Sequence, residues 1–130
     1  MKGVIRAYRY DSLVGRWVAL GAPVVDGYVD SGFGISVSLS ESGSEFAAGA
    51  WKHNGSSYWE GGVLVFRYSP LDDAWVQVGE TIDGSMREDI FGYSVALSGD
   101  GKVTAGGARW NDVGGRSAGH VRVFGRENEG

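Results

Sequence analysis

The chain has 130 residues, a length that suits one domain with one hydrophobic core, so residues 1–130 are treated as a single unit. Its 12 Lys and Arg residues against 16 Asp and Glu residues give a net charge of −4, which argues against nucleic acid as a partner. The chain has no cysteine, which excludes a disulfide framework and a thiolate site, and no stretch approaches the roughly 18 apolar residues of a membrane span, so we expect no membrane insertion.

In chain order, the predicted elements are short strands. IRAY at 5–8 comes first, followed by RWVALG at 16–21. A longer series then contains FGISVSLS, EFAAGA, VLVF and AWVQVG, and FGYSVALS at 91–98 opens a second series with KVTAGGA and HVRVF. Apolar residues alternate with polar or small ones, as at Val121 and Val123. Alternation without helical periodicity predicts an all-β fold of antiparallel strands.

An internal repeat organises these strands. Residues 33–50 and 91–108 read almost identically, as FGISVSLSESGSEFAAGA and FGYSVALSGDGKVTAGGA, 58 positions apart. The same shift places VLVF on VRVF, and IRAY is a weaker third copy of that segment. The spacing predicts two repeats of about 58 residues, near 5–62 and 63–120, with the start of a third at 121–127. Each repeat holds four predicted strands, which is the architecture of a β-propeller blade.

The predicted blades are incomplete at both ends of the chain. Their strands run three-four, then one-two-three-four, then one-two-three. Two blades cannot close a propeller, since closure takes about four to eight, and unpaired edge strands recruit other strands. Strand four near 16–24 would complete the last blade either within one chain or between successive chains. The residues predicted to form the assembling strands are Ile5, Ala7, Tyr8, Val121, Val123 and Phe124.

Two tryptophans recur at the same place in the pattern. Trp17 stands in RWVALG and Trp75 stands in AWVQVG. This repetition favours a core or blade-packing role for both residues, so truncation of either is expected to cost about 3–5 kcal/mol.

The segment FGYSVALSGDGKVTAGGA, with WVQVGETIDG before it and GHVRVF after it, resembles the FG-GAP repeat family in the divergent form found in long tandem arrays. The resemblance implies β-propeller blades, an extracellular or cell-surface location, and adhesion or structural use without catalysis. Integrin-type members carry a calcium loop with several alternating Asp residues. Here the loop holds only Asp100 in one copy and Glu41, at a different offset, in the other. Calcium takes six to eight oxygen ligands, so we expect a plain turn and no metal.

No cluster of residues suits catalysis or a cofactor. His53 and His120 have no second histidine at ligand spacing. Paired carboxylates lie in predicted loops, where solvated acids are the default. These pairs are Asp26 with Asp30, Asp72 with Asp73, and Glu88 with Asp89. We therefore predict that the chain is not an enzyme and uses no cofactor.

The predicted loops between strands two and three carry large aromatic residues. In the first repeat this loop reads WKHNGSSYWEGG, and in the second it reads RWNDVGGRSAGH. Exposed aromatics are costly, so we expect these to meet a sugar face, a neighbouring subunit or their own blade. The first loop also contains NGS, which makes Asn54 a predicted N-glycosylation site. The residues predicted to contact a ligand or a subunit are Trp51, Tyr58, Trp59 and Trp110.

These patterns lead to two functional hypotheses. The first is a non-enzymatic structural module that assembles with copies of itself into an extracellular fibre or array, or forms part of a longer tandem array. Its mechanism would be strand complementation, in which backbone hydrogen bonds supply affinity and alternating side chains supply register. Head-to-tail contacts of this kind give either rings or filaments. The alternative is a cell-surface adhesion module that binds a glycan through the aromatic loop.

Overall fold

The structure, a computed structural model, describes residues 2–55, 57–112, 114–116 and 118–127. These residues form ten β-strands and no helix, so the described part of the chain has no helix that could cross a membrane. The prediction of an all-β fold is confirmed. The strands are β1 (Tyr8–Asp11), β2 (Arg16–Ala19), β3 (Phe33–Leu39), β4 (Glu45–Ala50), β5 (Gly62–Ser69), β6 (Ala74–Gln77), β7 (Ile82–Asp83), β8 (Ser94–Leu97), β9 (Val103–Ala108) and β10 (His120–Gly125).

The strands form three antiparallel sheets. β1 and β2 form the first sheet, which an isolated bridge between Ile5 and Val24 extends. β3, β4, β5 and β6 lie side by side in the middle sheet, and β7 pairs with the start of β5. β8, β9 and β10 form the last sheet in chain order. The described sheets do not close into a propeller.

The register of the last sheet matches that of the middle sheet. Ala48 on β4 lies opposite Leu64 on β5, and 58 positions later Gly106 on β9 lies opposite Arg122 on β10. Two positions 58 residues apart are called equivalent from here on. Side-chain alternation selects this register, because a slip of one residue would turn the apolar side chains of a strand to the wrong face.

The first apolar cluster lies between the first and the middle sheets. Ile5, Ala7 and Leu20 pack against it from the first sheet. The indole Nε1 of Trp75 donates a hydrogen bond to the carbonyl oxygen of Leu20 at 2.9 Å, which ties the two sheets together. The buried members are Val24, Phe33, Phe46, Ala48, Ala50, Leu64, Phe66 and Trp75.

The second apolar cluster lies between the middle and the last sheets. Val95, Leu97 and Phe124 pack against it from the last sheet. The buried members are Ala47, Val63, Val65, Phe91 and Ala108. Because Val63 joins this cluster and Leu64 joins the first, β5 is buried on both of its faces.

The outer sheets differ from two expectations. Trp17 is 67% exposed whereas Trp75 is 9% exposed, so the predicted core role is right for Trp75 and wrong for Trp17. The physical reason is that no described sheet packs on the outer side of the first sheet. In addition, β2 pairs with β1, so this structure does not use the predicted strand four to complete the last sheet of the same chain.

Candidate functional site: free sheet faces and a ring cluster

The contact between the middle and the last sheets shows how two sheets of this chain fit together. The hydroxyl of Ser36 donates to the carbonyl oxygen of Gly92 at 2.8 Å, and the backbone N–H of Leu97 donates to the Ser38 hydroxyl at 3.0 Å. A side chain at Gly49 would overlap the same carbonyl oxygen of Gly92, so this close approach requires glycine. The side of the middle sheet that makes this contact is called its front face, and it consists of Ser36, Ser38, Ala47, Gly49, Val63 and Val65.

The last sheet has an equivalent front face that no described sheet covers. Val121 is 69% exposed, whereas the equivalent Val63 is 1% exposed. A side chain at Gly107 would closely approach only the flexible hydroxyl of Ser94, unlike one at Gly49. The front face of the last sheet consists of Ser94, Ala96, Ala105, Gly107, Val121 and Val123.

The opposite side of the middle sheet is uncovered along β3. Ile35, Val37 and Leu39 alternate with the front-face serines and are exposed, Leu39 to 61%. Their equivalents Val95 and Leu97 pack on the front face of the middle sheet. The β3 face, defined by Ile35, Val37 and Leu39, is therefore the kind of surface that a front face covers elsewhere in the chain.

A groove of about 350 Å³ runs beside the β3 face. One wall is residues 5–9, the other wall includes Val37 and Leu39, and Phe46 and Trp75 also line it. The apolar groove thus lies between the edge of the first sheet and the exposed side of the middle sheet.

The edge of the first sheet that borders this groove is paired with no described strand. Ile5 exchanges hydrogen bonds with Val24, and the carbonyl of Ala7 accepts one from Leu20 N. Because backbone groups alternate in direction along a strand, those of Arg6 and Tyr8 point to the groove side. β1 pairs only with β2 among the described strands. The groove therefore has the apolar wall and the open strand edge that a further β-strand needs.

The aromatic residues predicted from the loops form one connected ring cluster. Tyr58 and Trp59 stack with their ring centroids 5.0 Å apart and 14° between their planes. Trp59 and Trp51 lie 5.7 Å apart, and Trp51 meets Tyr93 edge to face at 5.9 Å. The rings from the loop after β4 therefore pack largely on one another and on the segment before β8.

Three cations lie among these rings. Lys52 Nζ is 4.8 Å from the Trp51 ring, and Arg87 lies 5.5 Å over the ring of Tyr58. Arg109 lies 4.9 Å over the ring of Tyr93 and 5.6 Å over that of Trp110. Since Arg109 touches both rings, it joins Trp110 to the other predicted contact residues. The ring cluster is defined as Trp51, Lys52, Tyr58, Trp59, Arg87, Tyr93, Arg109 and Trp110.

Sequence reasoning identified four rings of this cluster and missed the cations and Tyr93. Lys52 and Arg109 are direct sequence neighbours of predicted tryptophans, so a local signal existed for them. Arg87 and Tyr93 belong to the segment before β8, which reaches the loop after β4 only through the packing of the two sheets.

The predicted glycosylation site lies beside the ring cluster. Asn54 is exposed, and its Oδ1 accepts a hydrogen bond from the backbone N–H of Trp59 at 2.7 Å. The third residue of the acceptor sequence, Ser56, lies outside the described residues. The side-chain oxygen thus orders the loop, while the residue stays accessible from solvent.

The candidate histidine and acids occupy structural positions. His53 is buried, with Nε2 3.1 Å from Asp83 Oδ1 and its ring edge to face with Tyr28. Asp89 was expected in a solvated loop but is buried, because it accepts hydrogen bonds from backbone N–H groups and from Asn111 Nδ2. Within the described residues, no group of three or more His, Asp or Glu side chains is arranged to hold a metal ion.

Asp100 closes the turn between β8 and β9. Its Oδ1 accepts hydrogen bonds from Lys102 N at 2.9 Å and from the Ser98 hydroxyl at 2.7 Å. These bonds, that from Lys102 first, lower the pKa of Asp100 below its ordinary value. In the turn between β3 and β4 the equivalent Ser42 hydroxyl accepts from Ser44 N at 3.2 Å. Local side-chain hydrogen bonds thus close both turns.

No protein-family model matches this chain, and no curated protein is significantly similar to it. The resemblance to FG-GAP repeats therefore rests on the sequence pattern itself.

Proposed function

We propose that the chain is a non-enzymatic structural module of FG-GAP type, built from one complete and two partial β-propeller-like blades in repeats of about 58 residues. Copies of the module, or further repeats of a longer array, join head to tail into an extracellular fibre or array. Strand complementation between incomplete blades supplies the contact.

One observation carries this proposal: two uncovered surfaces of the described residues are equivalent to the two halves of a contact that the chain already makes inside itself. The front face of the middle sheet is buried under Val95 and Leu97 of β8. The front face of the last sheet is equivalent but open, and the β3 face is equivalent to the surface that would cover it. A second copy can therefore offer its β3 face to the last sheet of the first.

This contact is heterologous, since it joins different surfaces of the two copies. Each added copy leaves one front face and one β3 face free, so growth continues until a ring closes or a filament forms. Apolar side chains of the β3 face such as Ile35 and Leu39 then leave water, and their burial favours association. Contiguous exposed apolar surface of this kind is typical of interaction sites.

We propose no catalytic activity, because the candidate catalytic side chains make hydrogen bonds that stabilise the fold. His53 contacts Asp83, Asp89 receives several donors, and Asp100 closes a turn. Purified chain is expected to show no hydrolysis of glycosides or esters. An extracellular location is part of the proposal, and Asn54 would carry its glycan there.

The test is the mass of the purified chain by light scattering, with negative-stain electron microscopy of the same sample. We expect particles that grow with concentration beyond the 13.8 kDa of one chain. Leu39→Lys should leave the folded monomer intact, because Leu39 is exposed, and should abolish growth by placing a charge in the contact. The matched control is Leu13→Lys, in the turn between β1 and β2, where Leu13 is exposed and outside both faces.

Two outcomes would contradict the proposal. The chain could stay a monomer at all concentrations, or Leu39→Lys could assemble as well as the control variant.

A second candidate function is supported by the ring cluster, which places Lys52, Arg87 and Arg109 among aromatic rings although the chain carries a net charge of −4. Rings and cations together suit a glycan that bears sulfate or carboxylate groups. The test compares binding of a sulfated and a neutral polysaccharide. Arg109→Gln should weaken binding of the sulfated one and leave the particle mass unchanged, and equal binding of the two polysaccharides would reject this candidate.

A further inference from the structure

We infer that β10 is a placeholder strand: when two copies associate, β10 leaves β9 and residues 4–9 of the second copy take its position. The inference rests on the proposed head-to-tail assembly and specifies how its strands are exchanged.

The first support is that residues 4–9 carry the pattern of β10. The two segments lie 116 positions apart, which is twice the spacing between equivalent positions. Both alternate apolar residues with others, and both place an arginine at the second position of the matched stretch. The matched residues are Ile5 with Val121, Arg6 with Arg122, Ala7 with Val123, and Tyr8 with Phe124.

The second support is the open edge beside the groove. In the middle sheet β5 lies between β4 and β6. In the first sheet the equivalent of β5 is residues 4–11, and it has β2 on one side and the groove on the other. The groove of the second copy lies where its first sheet would have an equivalent of β4. Because β9 is equivalent to β4, β9 of the first copy can fill that groove.

The third support is that β10 and residues 4–9 would compete for one place. Ile5 and Ala7 already pack against the cluster between the first and the middle sheets. If a last sheet with β10 still attached approached the β3 face, Val121 and Val123 would have to occupy the position of Ile5 and Ala7. β9 has β8 on its other edge, so it can pair with residues 4–9 only where β10 has left.

The fourth support is that one face of β10 is exposed and that residues matched to those of β10 can replace its contacts. Its residues alternate between half-buried and exposed, and none is fully buried. The Arg122 guanidinium donates to the carbonyl oxygen of Asp83 at 2.9 Å, and Arg6 of the second copy is matched to Arg122. Backbone hydrogen bonds to β9 are exchanged for equivalent ones, so the gain comes from covering the β3 face and the part of the front face that lies on β8 and β9.

The inference fixes the register of the new strand pair. Ala105 lies opposite Val123 and Gly107 lies opposite Val121 in the present sheet. After exchange Ala105 lies opposite Ala7 of the second copy, and Gly107 lies opposite its Ile5. By equivalence with Gly49 and Gly92, the backbone at Gly107 then closely approaches the carbonyl of Gly34 in the second copy.

The first experiment locks β10 in place. The chain has no cysteine, so Ala105→Cys with Val123→Cys creates a single possible pair, between directly opposed residues. Ala105 and Val123 form a non-hydrogen-bonded pair, whose usual Cα separation of about 4.5 Å suits a disulfide. The oxidised variant should stay a monomer, and a reducing agent should restore wild-type growth. Ala105→Cys alone, treated in the same way, is the control.

The second experiment reads the register directly. Ala7→Cys with Ala105→Cys should give covalent multimers on oxidation, and Arg6→Cys with Ala105→Cys should not, because Arg6 faces the opposite side of its strand. Gly107→Ala should abolish growth while leaving the monomer folded. Val121→Lys should grow at least as fast as wild type, since Val121 leaves the contact.

The outcomes separate this inference from the proposed function. If the oxidised lock assembles like its reduced form, or if Ala7→Cys with Ala105→Cys gives no covalent multimers while particles still grow, the inference is overturned and head-to-tail assembly stands. If neither wild type nor the reduced variants grow, the proposed function itself is overturned.

Discussion

The middle sheet and the two outer sheets carry matching residues at equivalent positions. They differ in which sheets pack against them. Val63 and Val121 occupy equivalent positions opposite Gly49 and Gly107, yet Val63 is buried and Val121 is exposed. The difference does not come from the strands, which have the same register. It comes from the last sheet, which packs on this side of the middle sheet, whereas no described sheet packs on this side of the last sheet. Whether an apolar side chain at such a position is buried therefore depends on whether a neighbouring sheet packs on that side.

The middle and the first sheets show the same contrast between a buried residue and its exposed equivalent. Trp75 is buried because its indole reaches Leu20 in the sheet before it. Trp17 is the equivalent residue in the first sheet, and it contacts Tyr10 edge to face at 5.5 Å but remains mostly exposed. A large apolar side chain exposed where its equivalent is buried indicates a missing neighbour.

Paired truncation of the two tryptophans gives the largest expected effect. Trp75→Ala should lower the free energy of unfolding by about 3–5 kcal/mol, because it empties a buried site between two sheets. Trp17→Ala should cost under about 1 kcal/mol, as is usual for exposed residues. Denaturant unfolding of dilute monomer measures both. Equal losses would mean that Trp17 is covered in the monomer, and the contrast between the sheets would fail.

A glycine pair sharpens the comparison with a smaller change. Gly49→Ala should destabilise the monomer by about 1–3 kcal/mol, because its methyl group would overlap the carbonyl of Gly92. Gly107→Ala should change stability by less than about 0.5 kcal/mol, since only the Ser94 hydroxyl needs to move. Thermal unfolding of both variants beside wild type measures the difference. A large loss for Gly107→Ala would show that the front face of the last sheet is already occupied in the monomer.

Much of the strand pattern could be predicted from local sequence, because alternation and turn chemistry are local properties. FGYSVALS and HVRVF alternate cleanly, and both predicted segments contain strands, β8 and β10. β7 escaped prediction because two residues are too few for a visible period, and it exists through its pairing with Gly62 and Val63. The pairing of the last sheet follows that of the middle sheet, because equivalent strands pair in the same register. The 58-residue repeat already indicated which strands are equivalent.

The candidate surfaces were less accessible from sequence, because they depend on which sheets meet. The pattern treats Trp17 and Trp75 alike, and only the absence of a described sheet beyond the first one separates them. Likewise the cations of the ring cluster come partly from another sheet, as Arg87 does. The sequence predicts a solvated loop position for Asp89, yet the residue is buried and accepts hydrogen bonds from the backbone N–H of Met86 and from Asn111 Nδ2. Each of these is a tertiary effect without a local signature.

The smallest expected effect is a difference between the two equivalent turns in how their contribution to stability depends on pH. Asp100 has its pKa lowered by hydrogen bonds in the folded state, so its contribution to stability is present above the ordinary value of 3.8 and is lost as pH falls through the lower folded pKa. Ser42 closes the equivalent turn without a charge, so Asp100→Ser should keep the turn and remove this part of the acid dependence. The measurement is the unfolding midpoint of both proteins as pH is lowered, with the exposed Glu80→Ser as the control for a simple loss of charge. The two midpoints should converge at low pH and separate slightly near neutrality. A parallel offset at every pH would mean that the carboxylate acts through shape alone, and the two turns would then differ in geometry and not in charge.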